Sequence, residues 1–150
     1  MDQPKRVLVV DDDAEVRVLL ASTFRQEGLS VDLAGGGAEA IDLLAAGSYA
    51  VVVLDLVMPQ VDGFAVLDHL QSRDGAAPVV IVVTGAEEQI VSRLDPRIVH
   101  GIIRKPFDAR ELSNIVVACA EIRGRSAFET MAIAAIVAGT PLMAWLSRLQ

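Results

Sequence analysis

The stretch Val51-Val52-Val53-Leu54-Asp55-Leu56-Val57-Met58-Pro59 constrains the fold of this chain more than any other. Four apolar, mostly β-branched residues stand in a row without polar alternation, the pattern of a strand buried on both faces. Such a strand belongs in a sheet covered by helices on either side. It delivers one carboxylate, Asp55, to its C-terminal end, and Pro59 and the turn pair Asp62-Gly63 follow almost at once. In open parallel sheets, ligands and chemistry gather beyond the carboxyl ends of the strands. Asp55 is therefore expected where a reactive acid would be placed.

The remaining apolar runs repeat this logic. Val7-Leu8-Val9-Val10 reads as a buried strand ended by Asp11-Asp12-Asp13. Residues 14–26 read as a helix with Val16, Leu19, Leu20, Thr23 and Phe24 at helical spacing, capped by Asp13 and stopped by Gly28. Residues 30–34 alternate through Val31 and Leu33 as an edge strand. Gly35-Gly36-Gly37 lacks the G-x-x-x-x-G-K pattern of a phosphate loop and reads as a turn. Helices are expected over 38–46, through Ala40, Ile41 and Leu44, and over 64–72, through Phe64, Leu67 and Leu70.

Val79-Val80-Ile81-Val82-Val83 is the most apolar strand and ends at Thr84-Gly85-Ala86. A short helix over 87–94 closes near Asp95-Pro96, and Ile102-Ile103-Arg104 forms a fifth strand that ends at Lys105-Pro106-Phe107. Asp108 caps a last helix, to about residue 122, with Leu112, Ile115, Val116, Cys119 and Ile122 on its apolar face. Five strand signals alternating with five helix signals predict an α/β, doubly wound, five-stranded parallel sheet.

Bulk properties narrow the function classes. The chain has 150 residues, 53% of them apolar, which fits one domain with room for an appendage. A net charge of −7 argues against a nucleic-acid surface, which needs clustered Lys and Arg. The single cysteine, Cys119, excludes an intramolecular disulfide and suits a reducing cytoplasm. Only four apolar residues separate Arg6 from the aspartates, too few for a signal-peptide core. A cytoplasmic protein is expected.

The residues at the strand ends are Asp11 and Asp12, then Asp55, Thr84 and Lys105. Three converging carboxylates repel one another unless they hold a hard cation, and oxygen-only ligands point to Mg²⁺. Lys105 supplies a point charge for a phosphoryl group, and the Thr84 hydroxyl can donate to a phosphoryl oxygen. With Asp55 as nucleophile, these are the parts that phosphoryl transfer requires. Each also has a plainer reading. The aspartates at 11–13 suit a helix N-terminus, Asp55 suits turn chemistry, Thr84-Gly85 suits a strand-to-helix turn, and Lys105-Pro106 suits a strand exit. His69 and His100 carry no partner pattern and read as structural or surface residues.

Taken in order, Val9-Val10-Asp11-Asp12-Asp13, Leu54-Asp55-Leu56-Val57-Met58-Pro59 with Asp62-Gly63, Val83-Thr84-Gly85 and Lys105-Pro106-Phe107 resemble the receiver domain of two-component response regulators. The resemblance covers roughly residues 5–123 and implies a flavodoxin-like fold. It implies Asp55 as phosphoacceptor, with Asp11, Asp12, Asp55 and the backbone carbonyl of Val57 as Mg²⁺ ligands. Thr84 would follow the phosphoryl group as the switch hydroxyl, and Lys105 would pair with it. The implied donor is a histidine kinase or phosphotransfer protein, and the chain is a phosphoacceptor rather than an enzyme. A phosphohydrolase with an Asp nucleophile usually shows a second acid two residues on, where this chain has Val57.

Two departures from the family pattern stand out. The aromatic residue usual three positions before the lysine is Ile102 here, with no ring to swing and no hydroxyl to place. Neither Val57 nor Ala86 can orient a water against an aspartyl phosphate, so slow self-dephosphorylation is expected. The surface near the fourth helix is also expected to be remodelled, because Asp95-Pro96 interrupts the approach to the fifth strand.

The receiver reading assigns residues 1–123 to the domain and residues 124–150 to an apolar helical tail. Residues 130–146 contain no charge, against the about 20 apolar residues wanted for a membrane span. Gly139-Thr140-Pro141 divides the run. Phe128, Met131, Ala132, Ala135 and Ile136 fall on one helical stripe before it, and Leu142, Trp145, Leu146 and Leu149 on another after it. Three readings stand: two short helices packing on a partner or a second copy as a homodimer, a kinked membrane contact over 127–146, or a chain whose further domain is missing. Output by protein interaction is expected, and a phosphorylation-independent adaptor that keeps the acidic site as scaffold is the rival.

Overall fold

The computed structural model describes residues 5–121. The expected tail, with its helical, dimeric and membrane readings, lies outside the described residues, as does Ile122. Among the described residues no helix is long and apolar enough to cross a membrane.

Strands and helices alternate strictly. They run β1 (Arg6–Val10), α1 (Ala14–Gln26), β2 (Ser30–Ala34), α2 (Gly37–Ala46), β3 (Val51–Leu54), α3 (Gly63–Ser72), β4 (Val79–Thr84), α4 (Glu88–Val91), β5 (Gly101–Arg104) and α5 (Ala109–Glu121). All pairings are parallel, and the sheet order is β2-β1-β3-β4-β5. This is the doubly wound parallel sheet that the alternation predicts, in the flavodoxin-like order that the receiver resemblance implies. The direction of winding reverses at β1, so the crevice at the carboxyl ends of β1 and β3 is the switch point.

The lack of alternation within the strands has a direct cause. Successive side chains point to opposite faces, and each face meets helices. Val7, Val9, Val51, Val53, Val79, Ile81 and Val83 enter one core with Leu20 and Phe24 of α1 and Leu112 and Val116 of α5. Leu8, Val10, Val52, Leu54, Val80 and Val82 enter the other with Ala40, Leu44, Val66 and Leu70. Truncating one of these large side chains to Ala costs about 2–5 kcal/mol, because the cavity only partly collapses.

Local chemistry sets the helix ends. Asp13 accepts the N–H groups of Glu15 at 2.9 Å and Val16 at 3.4 Å. Asp62 accepts that of Ala65 at 3.2 Å, and Asp108 accepts those of Arg110 and Glu111 at 2.9 and 3.0 Å. Two expected features differ. On α1 the buried stripe is Leu20, Ala21 and Phe24, and Leu19 is 48% exposed. Leu20, Ala21 and Phe24 enter the core that α5 shares, and that choice of face leaves Leu19 turned outward. The helix expected over 87–94 is only Glu88–Val91. After it the chain tightens, Arg93 bonding back to Ile90 and Leu94 to Val91, and Pro96 disfavours helical backbone at Asp95.

Candidate functional site

Each acid-bearing residue is held by the sheet it follows. The Asp11 N–H donates to the carbonyl of Ala34 at 3.2 Å, and the Asp55 N–H to that of Val10 at 2.9 Å. These bonds extend the ladders β1–β2 and β1–β3 by one step, so both aspartates start from rigid backbone. The Lys105 N–H does the same for β5, donating to the carbonyl of Thr84 at 3.0 Å. Lys105 precedes a cis proline, Pro106.

The side chains then converge. Lys105 Nζ donates to Asp11 Oδ2 at 2.8 Å and to Asp55 Oδ2 at 3.2 Å. Asp11 Oδ1 accepts the Asp13 N–H at 2.9 Å, and Asp55 Oδ1 accepts the Val57 N–H at 3.4 Å. Asp11, Asp12 and Asp55 each offer a carboxylate oxygen, all within 4.8 Å of one another. Asp11 and Asp55 are buried and Asp12 is exposed. Three of the sequence-derived acids and the lysine are thus brought to one place.

The charges there do not balance. Burial raises the pKa of Asp55 above the usual carboxylate value; the positive charge of Lys105 opposes that shift, and the neighbouring Asp11 reinforces it. Burial alone would lower Lys105, but its hydrogen bond to Asp11 and the fields of both aspartates outweigh this and hold it above its ordinary value. One cation serves two buried carboxylates and a third at the rim. A divalent ion with a preference for oxygen fits that donor set and relieves the excess negative charge.

Thr84 is fully buried at the end of β4, and its hydroxyl accepts the Ala86 N–H at 3.1 Å. Val57 turns its side chain outward, 58% exposed, beside the acids. Ile102 is half-buried on β5 and packs against the core on the α2–α3 side.

Two features of the site were not legible as such in the sequence. The Arg17 guanidinium on α1 donates to the carbonyl of Asp11 at 2.7 Å. Gly63 donates its N–H to Leu56 at 3.0 Å, and a Cβ there would strike the carbonyl of Asp55 and come within 2.8 Å of Leu56 Cα. The Asp62-Gly63 pair signals a turn in sequence. In the fold it also lets α3 start hard against the backbone of Asp55 and Leu56.

Comparison with known proteins bears on this geometry. Residues 7–117 match the family model described as the response regulator receiver domain. The chain is 38% identical over 110 residues to the response regulator MprA of Mycolicibacterium vanbaalenii, covering 73% of this chain and 47% of that protein. It is 36% identical over 112 residues to the regulatory protein AtoC of Escherichia coli, covering 74% and 24% respectively. The chain therefore spans less than half the length of these curated relatives. Among solved structures it resembles the response regulator TrrA of Thermotoga maritima, determined in complex with Mg²⁺ and BeF, at 32% identity and a TM-score of 0.65, covering 77% of this chain and 98% of that one. By motif order, sheet topology and sequence similarity, this chain belongs to the response regulator receiver family.

Proposed function

We propose that the chain accepts a phosphoryl group on Asp55 from a histidine kinase or phosphotransfer protein, with Mg²⁺ held by Asp11, Asp12, Asp55 and the carbonyl of Val57. The observation that carries this reading is the sharing of Lys105 between Asp11 and Asp55 beside a third carboxylate. Receiver domains bind Mg²⁺, and the donor set here suits it. The ion, when bound, neutralises charge on the incoming phosphoryl oxygens.

An Asp55 carboxylate oxygen attacks phosphorus, a P–O bond forms, and the bond to the donor's nitrogen or oxygen breaks with its electron pair leaving on the donor. Lys105, already within reach of Asp55 Oδ2, stabilises negative charge on the transferred group as the geometry becomes trigonal. Thr84 releases the Ala86 N–H and turns its hydroxyl toward the new phosphoryl oxygens. Ile102 cannot follow that movement with a ring, so it does not couple to Thr84 in that way.

Mg²⁺-dependent labelling by acetyl phosphate tests the reading. Asp55→Asn is expected to abolish it, and a native protein that takes no label would favour the adaptor. The mark is expected to last, since Val57 brings no polar group to the acceptor. Val57→Asn should shorten its lifetime in a phosphate-release assay, and an unchanged lifetime would remove this account of persistence.

A further inference from the structure

The loop from Asp55 to Asp62 carries the acceptor and Val57, and glycines grip it on two sides. Gly63 holds one side against Asp55 and Leu56, as described above. On the other, Gly37, the first residue of α2, donates its N–H to the carbonyl of Val61 at 3.1 Å. A Cβ on Gly37 would strike that same carbonyl and lie 2.7 Å from Val61 Cγ1. Backbone cannot swing aside as a side-chain tip can.

Gln60, next to Val61, stands in the left-handed region with φ 64°. That conformation costs a non-glycine residue about 1–2 kcal/mol and persists where neighbouring contacts impose it. The Gly37–Val61 contact is the adjoining constraint.

The three glycines are not equivalent. A Cβ on Gly36 would meet nothing within 4 Å. One on Gly35 would meet only the Arg17 guanidinium, 3.3 Å from Nη1, at the far end of a flexible side chain. Gly37 alone of the three abuts the acceptor loop. The sheet order gives that contact its meaning. The β2–α2 connection rises beyond β2 and the acceptor loop beyond β3, with β1 between them. The seam therefore joins the loops that follow the two neighbours of β1, the strand whose end carries Asp11 and Asp12.

We propose that Gly37 is a positioning residue: its missing side chain sets how closely the acceptor loop, with Asp55 and Val57, approaches Asp11 and Asp12. It thereby sets Mg²⁺ affinity and the rate of phosphoryl acceptance. The inference rests on the reading of these residues as a Mg²⁺-dependent acceptor site.

Gly37→Ala in the full chain tests it, with Gly36→Ala as control in the same loop. Mg²⁺ titration by calorimetry without phosphodonor should show binding weakened on the order of tenfold in Gly37→Ala and unchanged to within about twofold in Gly36→Ala. Amide exchange over residues 55–62 should quicken in the first variant and not in the second, and labelling by acetyl phosphate should slow. A lower melting temperature with unchanged Mg²⁺ affinity and unchanged loop exchange would reduce Gly37 to a packing residue and overturn the proposal. Should Gly37→Ala fail to fold, Val61→Gly loosens the same seam without adding an atom and carries the same expectations. A wild-type chain that binds Mg²⁺ but takes no label would remove the acceptor reading and leave the positioning role standing on affinity and exchange. Absence of Mg²⁺ binding by the wild-type chain would overturn both.

Discussion

The two ends of the sheet hold similar residues in opposite electrostatic conditions. Toward the amino ends of β1 and β3, Asp32 in the middle of β2 accepts from Arg6 and from the Tyr49 hydroxyl, both at 2.7 Å, and Arg6 lies over the Tyr49 ring, 4.6 Å from its centroid. The Tyr49 hydrogen bond and then Arg6 hold the Asp32 carboxyl below its usual range. Burial and the bond to Asp32 push the Tyr49 hydroxyl up to about 12. At the carboxyl ends, Asp55 moves the other way, because it is more deeply enclosed, neighbours Asp11, and shares Lys105 with it. One end satisfies its carboxylate and the other leaves charge in excess. The first ties strands together, and the second is suited to a ligand.

His100 offers the largest test on the amino-end side. Its Nδ1 accepts the Val80 N–H at 3.0 Å, and its own N–H donates to Val80 at 2.8 Å, so the ring stands in for a backbone carbonyl just before β5. His100→Phe would leave the Val80 N–H buried without an acceptor, at a cost of about 1–3 kcal/mol in chemical denaturation. Burial lowers the folded pKa of His100. The unfolded chain therefore takes up this proton first, and the histidine's contribution is full above about pH 6.5 and lost as pH falls below it. The variant should lose that part of the acid-side slope; an unchanged slope would mean that the neutral ring is not what the fold uses.

A pair of identical substitutions sharpens the comparison further. In chelator at neutral pH, Asp55→Asn should stabilise the protein by roughly 1 kcal/mol, since it removes a buried charge that the fold disfavours. Asp32→Asn should destabilise it, by about 0.5 kcal/mol or less, because the Arg6 pair is substantially exposed and screened. Equal signs in thermal melts would break the distinction between the two ends.

The parallel sheet and the acids are legible in the sequence because they depend on patterns within short windows, namely apolar runs, caps and strand-end residues, whereas the flavodoxin-like arrangement of the strands follows from the family resemblance. What escaped it depends on contacts between windows. Leu19 and Ala21 of α1 are both compatible with an apolar stripe, and only the docking of α5 decides between them. The α4 helix stops early because tight turns and Pro96 combine, and of these only Asp95-Pro96 is visible in the sequence. His100 has no motif, since its partner is the backbone of a strand twenty residues away. In sequence Gly37 is one of three loop glycines, and only its contact with Val61 sets it apart.

Lys105 draws one more consequence from its two bonds. They reach back 94 residues to Asp11 and 50 to Asp55. During synthesis, β1 and β3 can pair long before β5 has been made, yet the two acids then face each other without their cation. The site is completed only when the last strand joins the sheet edge. Assembly of the proposed acceptor site is thus tied to completion of the whole sheet, and a chain halted before β5 would present acids that repel one another without Lys105 between them.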